Sequence, residues 1–180
     1  GNQSNILYEI TNEPNGVTWQ RIVDYSNAVI PTIRAIDPDA IIIVGTRAWS
    51  SLGVSTGSNS QEIISNPVPY SNIMYTFHFY AASHTASYRT EVATASTKIP
   101  IFVTEWGTPT SSGTGTNDLV SAQAWVDLMN QKNISWMNWN YCDDIQSGSS
   151  WIDGTCPNGP WTTSQLKESG LFVRDKIINR

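Results

Sequence analysis

A strand–helix alternation running from end to end predicts a single α/β domain over residues 1–180. Two observations carry that class. Short apolar runs recur between stretches of helical periodicity, in the order β-α-β-α-β-α-β-α-β-α, with no internal repeat or linker. One run, Ile41-Ile42-Ile43-Val44-Gly45, is β-branched and apolar on both faces, as strands of a helix-covered parallel sheet are. A third observation narrows the class: no Gly-rich phosphate loop follows the first strand, which weakens a nucleotide-binding sheet. A complete (β/α)8 barrel takes eight units and typically about 250 residues, so five strands here do not fill one.

The elements follow in order. Ile6–Ile10 is a short apolar run that ends in the polar turn Thr11-Asn12-Glu13-Pro14-Asn15-Gly16. Trp19, Ile22, Val23, Ala28, Val29, Ile33 and Ile36 then recur at helical spacing, and Asp37-Pro38-Asp39 stops that helix. Pro31 inside it implies a kink. After the Ile41–Gly45 strand comes a Ser/Gly/Asn-rich loop, and then a short helical piece near Gln61–Ser65. Ile73–His78 reads as the third strand, Tyr88–Ser96 as a weak helix, and Ile101–Thr104 as the fourth strand, ending at Glu105. A good helix runs from about Leu119 to Gln131, Ser135–Trp139 is the expected fifth strand, and Leu171–Ile178 is the last helix.

Composition excludes several partners. The chain is 39% hydrophobic, enough for a packed core, yet only 14% charged, and Ser, Thr and Asn fill 54 positions. A net charge of -5 with ten Lys and Arg leaves no basic footprint for nucleic acid or an anionic membrane. No apolar stretch approaches the ~20 residues of a membrane span. No signal peptide stands at the N-terminus, so any targeting segment is expected outside this chain. Eight Trp and seven Tyr in such uncharged surroundings suit sugar rings, although most such residues in any protein are core. Cys142 and Cys156 flank a loop rich in Gly, Ser, Asp and Pro; in this composition they predict a disulfide and an extracellular, secreted protein.

Polar residues gather where the strands finish. Asn12 and Glu13 end the first, His78 and Tyr80 the third, Glu105 and Trp106 the fourth, and Trp139 the fifth. Parallel α/β sheets place functional groups at the C-terminal ends of their strands. Each residue alone has an ordinary structural reading, such as a capping turn or a satisfied histidine. Together, two carboxylates from different strands with His, Tyr and Trp nearby fit glycoside hydrolysis. That reaction needs one carboxyl protonated for the leaving oxygen, and another ionised to attack or to activate water.

On those residues the resemblance is specific. Ile6–Gly16 (ILYEITNEPNG), Ile41–Ser50 (IIIVGTRAWS), Asn72–Tyr80 (NIMYTFHFY), Ile101–Gly107 (IFVTEWG), Ile134–Trp139 (ISWMNW) and Gly170–Ile177 (GLFVRDKI) resemble glycoside hydrolase family 5. They are most similar to its bacterial-type endo-β-1,4-glucanases, or cellulases. The resemblance implies a partial (β/α)8 TIM barrel of about five β/α units, similar to strands 4 to 8, with the first three units absent. It implies Glu13 as general acid/base and Glu105 as the nucleophile of a retaining mechanism, in which the carboxyl groups stand ~5–5.5 Å apart. Asn12 would bind the sugar 2-hydroxyl, His78 would hydrogen-bond near the acid/base, and Tyr80 would donate to Glu105. Trp139 would form the platform under the sugar, and Trp49 a second stacking surface. No metal or organic cofactor enters that mechanism.

Two departures from the family pattern stand out. Trp139 is followed by Asn140-Tyr141-Cys142-Asp143-Asp144-Ile145-Gln146, without the lysine common on the glycone side. The units carrying an active-site arginine and histidine have no counterpart here. The expectation is therefore a chain acting on internal β-1,4 bonds of cellulose-type polysaccharide. The alternatives are a truncated chain of weak or no catalysis that binds glucan or serves as an assembly unit, or the same mechanism on xylan, mannan or mixed-linkage glucan. Open sheet edges and an exposed inner face further predict a homodimer or higher oligomer.

Overall fold

Four β-strands are hydrogen-bonded in the order β1-β2-β3-β4 in the computed structural model, which describes residues 5–179. The strands are β1 Leu7–Glu9, β2 Ile41–Val44, β3 Ile73–Tyr80 and β4 Ile101–Gly107. β1 pairs parallel to β2 with Leu7 opposite Ile41, and β2 parallel to β3 with Ile42 opposite Ile73. Tyr75 N–H donates to the Pro100 carbonyl and Ala81 N–H to the Gly107 carbonyl, so the β3–β4 ladder advances in the same sense. The helices are α1 Trp19–Arg34, α2 Arg47–Ser50 (a single turn with left-handed backbone from Ala48 to Ser50), α3 Gln61–Ser65, α4 Ala86–Ala95, α5 Leu119–Gln131, α6 Thr155–Asn158 and α7 Glu168–Ile178. This is a partial α/β barrel sheet with its covering helices. No helix among the described residues is long and apolar enough to cross a membrane.

The described residues gather in two compact units. One is the chain up to His78 together with Thr90–Val103; the other is Phe79–Arg89 together with the chain from Thr104 onward.

In the first unit, Thr18 caps α1 by accepting the Arg21 N–H at 3.2 Å. Trp19, Ile22, Val23, Ser26 and Ile30 form the buried stripe of that helix, the 3–4 spacing the sequence shows. The Trp19 indole meets Tyr75 edge-on and donates to the Asn66 carbonyl at 2.8 Å. Pro31 lies inside α1, which still runs on to Arg34. Ile42, Ile43 and Val44 of β2 are buried, as a strand covered on both faces must be.

In the second unit, Asp118 caps α5, and Trp125, Val126 and Met129 turn inward. Phe79 stacks on Trp125 at 4.1 Å between ring centroids and on Trp106 at 5.4 Å. The expected fifth strand is corrected here. Ser135–Trp139 does not form a strand; its last residue is tied to β4 by the Trp139 N–H, which donates to the Trp106 carbonyl at 2.8 Å. The neighbouring Asn138 amide takes the same carbonyl at 2.8 Å. A side chain thus occupies an acceptor that a continuing ladder would share among backbone groups.

The disulfide is corrected as well: Cys142 and Cys156 are both free thiols. The Cys142 thiol reaches Asn140 Oδ1 at 2.9 Å and Asp144 Oδ2 at 3.2 Å. Burial, followed by a hydrogen bond to Asp143, pushes the Cys156 thiol above its ordinary value. Each sulfur therefore has its own polar partner. What pins the loop after Trp139 is the start of α7. Ser169 Oγ donates to the Ser149 carbonyl at 2.7 Å, and Lys167 Nζ donates to the carbonyls of Asp144 and Gln146. A Cβ on Gly170 would collide with the Ser150 carbonyl, so the bare residue lets helix and loop meet.

Candidate active site

In the first unit, the segment after β1 carries Asn12 and Glu13 and is gripped from one side by the chain that follows β2. Gly45 N–H donates to Thr11 Oγ1 at 2.9 Å, and a Cβ there would lie 2.6 Å from the Thr11 carbonyl and 2.9 Å from Pro14 Cδ. Ser50 Oγ donates to the Asn12 carbonyl at 2.6 Å, and Trp49 N–H donates to the Pro14 carbonyl at 3.3 Å. The Asn12–Glu13 and Pro14–Asn15 peptides are therefore held, while the Glu13 carboxylate is left to a side-chain partner.

That partner is His78. Its Nδ1 stands 2.9 Å from Glu13 Oε1, and the imidazole is only 2% exposed. On the far side of the ring, Nε2 stands 4.0 Å from Glu9 Oε1, which also accepts from Thr76 Oγ1 at 2.8 Å. Thr76 and His78 are two apart on β3 and so share a face. Glu9 and Thr76 are absent from the sequence-based site. The period-2 spacing of Thr76 and His78 was the available signal, together with a carboxylate inside an otherwise apolar strand.

Trp49 is presented by an unusual turn. Ala48, Trp49, Ser50 and Leu52 all have left-handed backbone, with φ of 62°, 58°, 54° and 57°. For residues with a Cβ this costs roughly 1–2 kcal/mol each. Local hydrogen bonds offset it: Ser50 N–H to the Thr46 carbonyl at 3.0 Å, Leu52 N–H to Thr46 Oγ1 at 3.0 Å, and Ser51 Oγ to the Ala48 carbonyl at 2.7 Å. Arg47 ties the turn to α3 through Glu62 at 2.9 Å. The Trp49 side chain stands 47% exposed. Strain of this kind concentrates at functional sites.

In the second unit, Glu105 lies within β4, and the Tyr80 hydroxyl donates to its Oε1 at 2.7 Å. Gly107 makes that contact possible. A Cβ on it would sit 2.9 Å from Tyr80 Cδ1 and Cε1, so one edge of the ring lies against bare backbone. Trp106, alternating to the other face, is fully buried. Trp139 is 50% exposed beside it, and its peptide bond to Asn140 is cis. Among the residues expected at the site, the structure thus joins Glu13 to His78 and Tyr80 to Glu105. Asn12 is anchored through its carbonyl, and Trp49 and Trp139 are exposed ring surfaces.

Comparison with known proteins is consistent with this arrangement. Residues 1–145 match the family model described as cellulase (glycosyl hydrolase family 5). The chain is 52% identical over 181 residues to endoglucanase MaCel5A of Microbulbifer sp. (strain ALW1), covering 100% of this chain and 35% of that protein. It is 49% identical over 176 residues to endoglucanase CelA of Streptomyces lividans, covering 97% and 38%. Among solved structures, the catalytic domain of Thermobifida fusca endoglucanase Cel5A in complex with cellotetraose superposes with a TM-score of 0.95 at 55% identity. That match covers 97% of this chain and 57% of the solved one. The chain thus spans well under half the length of these two relatives.

Proposed function

Because the chain belongs to the cellulase family, glycosyl hydrolase family 5, we propose that it carries the proton donor and the nucleophile of a retaining β-1,4-glucan hydrolase. The observation that carries this reading is that each motif carboxylate has its own built partner, His78 on Glu13 and Tyr80 on Glu105. In the first step Glu105 attacks the anomeric carbon while Glu13 gives its proton to the departing glycosidic oxygen. In the second, Glu13 takes a proton from water, which attacks the same carbon and releases the Glu105 ester. Asn12 hydrogen-bonds the sugar 2-hydroxyl, and Trp139 and Trp49 offer stacking faces.

The cellotetraose complex of the Thermobifida fusca domain supports a glucan as ligand. Xylan, mannan and mixed-linkage glucan are the competitors to assay beside it. The same reading takes residues 1–180 as one piece of catalytic domain, equivalent to strands 4 to 8 of a barrel. It takes the protein as secreted, where polymeric glucan is found. The homodimer expected from the open sheet has no support in the comparisons.

For the 180 residues by themselves, glucan binding with weak or no turnover is the favoured form of the proposal. β1 pairs only with β2 among the described strands, and Ile6, Leu7 and Ile41 are exposed there. The deciding experiment compares wild type with Glu105→Gln for sugar release from carboxymethylcellulose and for cellotetraose binding. Binding retained in both, with any wild-type release abolished by the substitution and bell-shaped in pH, is the expected result. Equal release by both proteins, or no binding by either, defeats the proposal.

A further inference from the structure

The turn that presents Trp49 also grips the Asn12–Glu13 peptide, and one buried hydroxyl does both. Ser50 Oγ accepts the Thr46 N–H at 3.2 Å and donates to the Asn12 carbonyl at 2.6 Å. Ser50 is fully buried, so neither bond is shared with solvent. Its φ of 54° is one that glycine adopts without cost. A serine there, and not a glycine, indicates that the hydroxyl itself is used.

We propose that Ser50 is a positioning residue that couples the stacking ring of Trp49 to the carboxyl of Glu13. A sugar seated on the ring is then held at a fixed height relative to the proton donor. The inference rests on the reading of Glu13 as acid/base. The coupling is short: from Trp49 one peptide leads to Ser50, one hydrogen bond to the Asn12 carbonyl, and one peptide to Glu13. The Trp49 N–H to Pro14 bond closes the loop on the other side. Without the hydroxyl, the Asn12–Glu13 peptide loses its anchor, and the carboxyl no longer stands at one distance from the bond it protonates.

The test uses Ser50→Ala and Ser50→Gly in the 180-residue chain. Each is measured as kcat/KM on cellotetraose, whose leaving sugar needs a proton, and on 2,4-dinitrophenyl β-cellobioside, whose leaving group does not. Misplacement of about 1 Å costs on the order of a hundredfold, so both variants should lose about tenfold to a hundredfold on cellotetraose. Both should stay near wild type on the activated substrate. Glu13→Gln, run beside them, should shift the ratio in the same direction and further.

An equal loss on the two substrates would mean a structural role only and would overturn the inference. So would an unchanged ratio in the Ser50 variants while Glu13→Gln shifts it. If Ser50→Ala fails to fold, Ser50→Gly, which relieves the backbone strain, carries the test; failure of both to fold also overturns it. If Glu13→Gln leaves the ratio unchanged, the acid/base reading itself falls, and the coupling with it; where the 180 residues bind cellotetraose without turnover, Ser50→Ala should lower that affinity at least tenfold, and an unchanged affinity overturns the coupling.

Discussion

Glu105 and Glu13 are held by opposite means. Glu105 belongs to β4, so the sheet ladder fixes its backbone, and the Tyr80 hydroxyl donates to it from a ring that rests on a bare glycine. Glu13 sits in a loop, where no ladder reaches it. Its position is imposed by a second segment that folds over it in a strained conformation, with seven hydrogen bonds keeping that shape and that grip. A strand-borne carboxylate comes with its place already defined, whereas a loop-borne one requires dedicated structure. Substitutions near Glu13 should therefore act through backbone, and those near Glu105 through side chains.

The sharpest way to break that comparison is to add one methyl group on each side. At Gly45 the new Cβ meets Thr11 Oγ1 at 2.5 Å and the Thr11 carbonyl at 2.6 Å, and the carbonyl cannot swing aside. Gly45→Ala should cost about 3 kcal/mol, at the upper end of overpacking, which for a domain this size is roughly 6–12 °C in Tm. At Gly107 the obstacle is the Tyr80 ring at 2.9 Å, a side chain that can tilt. Gly107→Ala should cost about 1–2 kcal/mol, with part of the effect appearing as a lengthened Tyr80–Glu105 contact. Thermal melts of the two variants check the order. A Gly107→Ala protein less stable than Gly45→Ala would reverse it.

How far the sequence spoke follows the same division. The Ile41–Val44 strand, the α1 stripe and the α5 helix were legible because periodicity and branching report burial directly. Glu105 and His78 were read as strand ends, whereas β3 runs on to Tyr80 and β4 to Gly107. The turn at 48–52 was not, since its residues are ordinary and nothing in Ala-Trp-Ser announces left-handed backbone without glycine. Ser135–Trp139 looked like a strand because aromatic and β-branched residues suit one, yet its attachment to β4 runs partly through the Asn138 side chain. The cysteines misled for a similar reason: spacing and composition do not say where a sulfur points, and Asn140, Asp143 and Asp144 offered each thiol a partner.

The smallest expected effect concerns that loop. The Ser149 hydroxyl, then the Cys142 thiol and the Gln146 N–H, hold the Asp144 carboxyl below its ordinary value of 3.8. The Cys156 N–H does the same, as the first cause, for Asp143. Their contribution is whole above the ordinary carboxylate value, shrinks as pH drops below it, and is gone below the lowered folded values. Amide exchange at Gln146 and Cys156, corrected for intrinsic rates, should accelerate between pH 5 and 3 while amides of β2 keep their protection. Uniform protection across that interval would show that the loop does not depend on these carboxylates.

The aromatic cluster behind β4 has an optical consequence. Trp106 faces Trp136 edge-on at 5.4 Å and 82°, and Phe79 lies between Trp106 and Trp125 in near-parallel contact. Indoles locked this close and at fixed angles couple their electronic transitions, which gives a near-ultraviolet circular dichroism band that free-turning rings do not have. Trp49 and Trp139, half in solvent, respond to added quenchers through their emission instead. The protein thus carries two separable spectroscopic reporters, a chiral signal for the packing beside Glu105 and an emission signal for the exposed indoles.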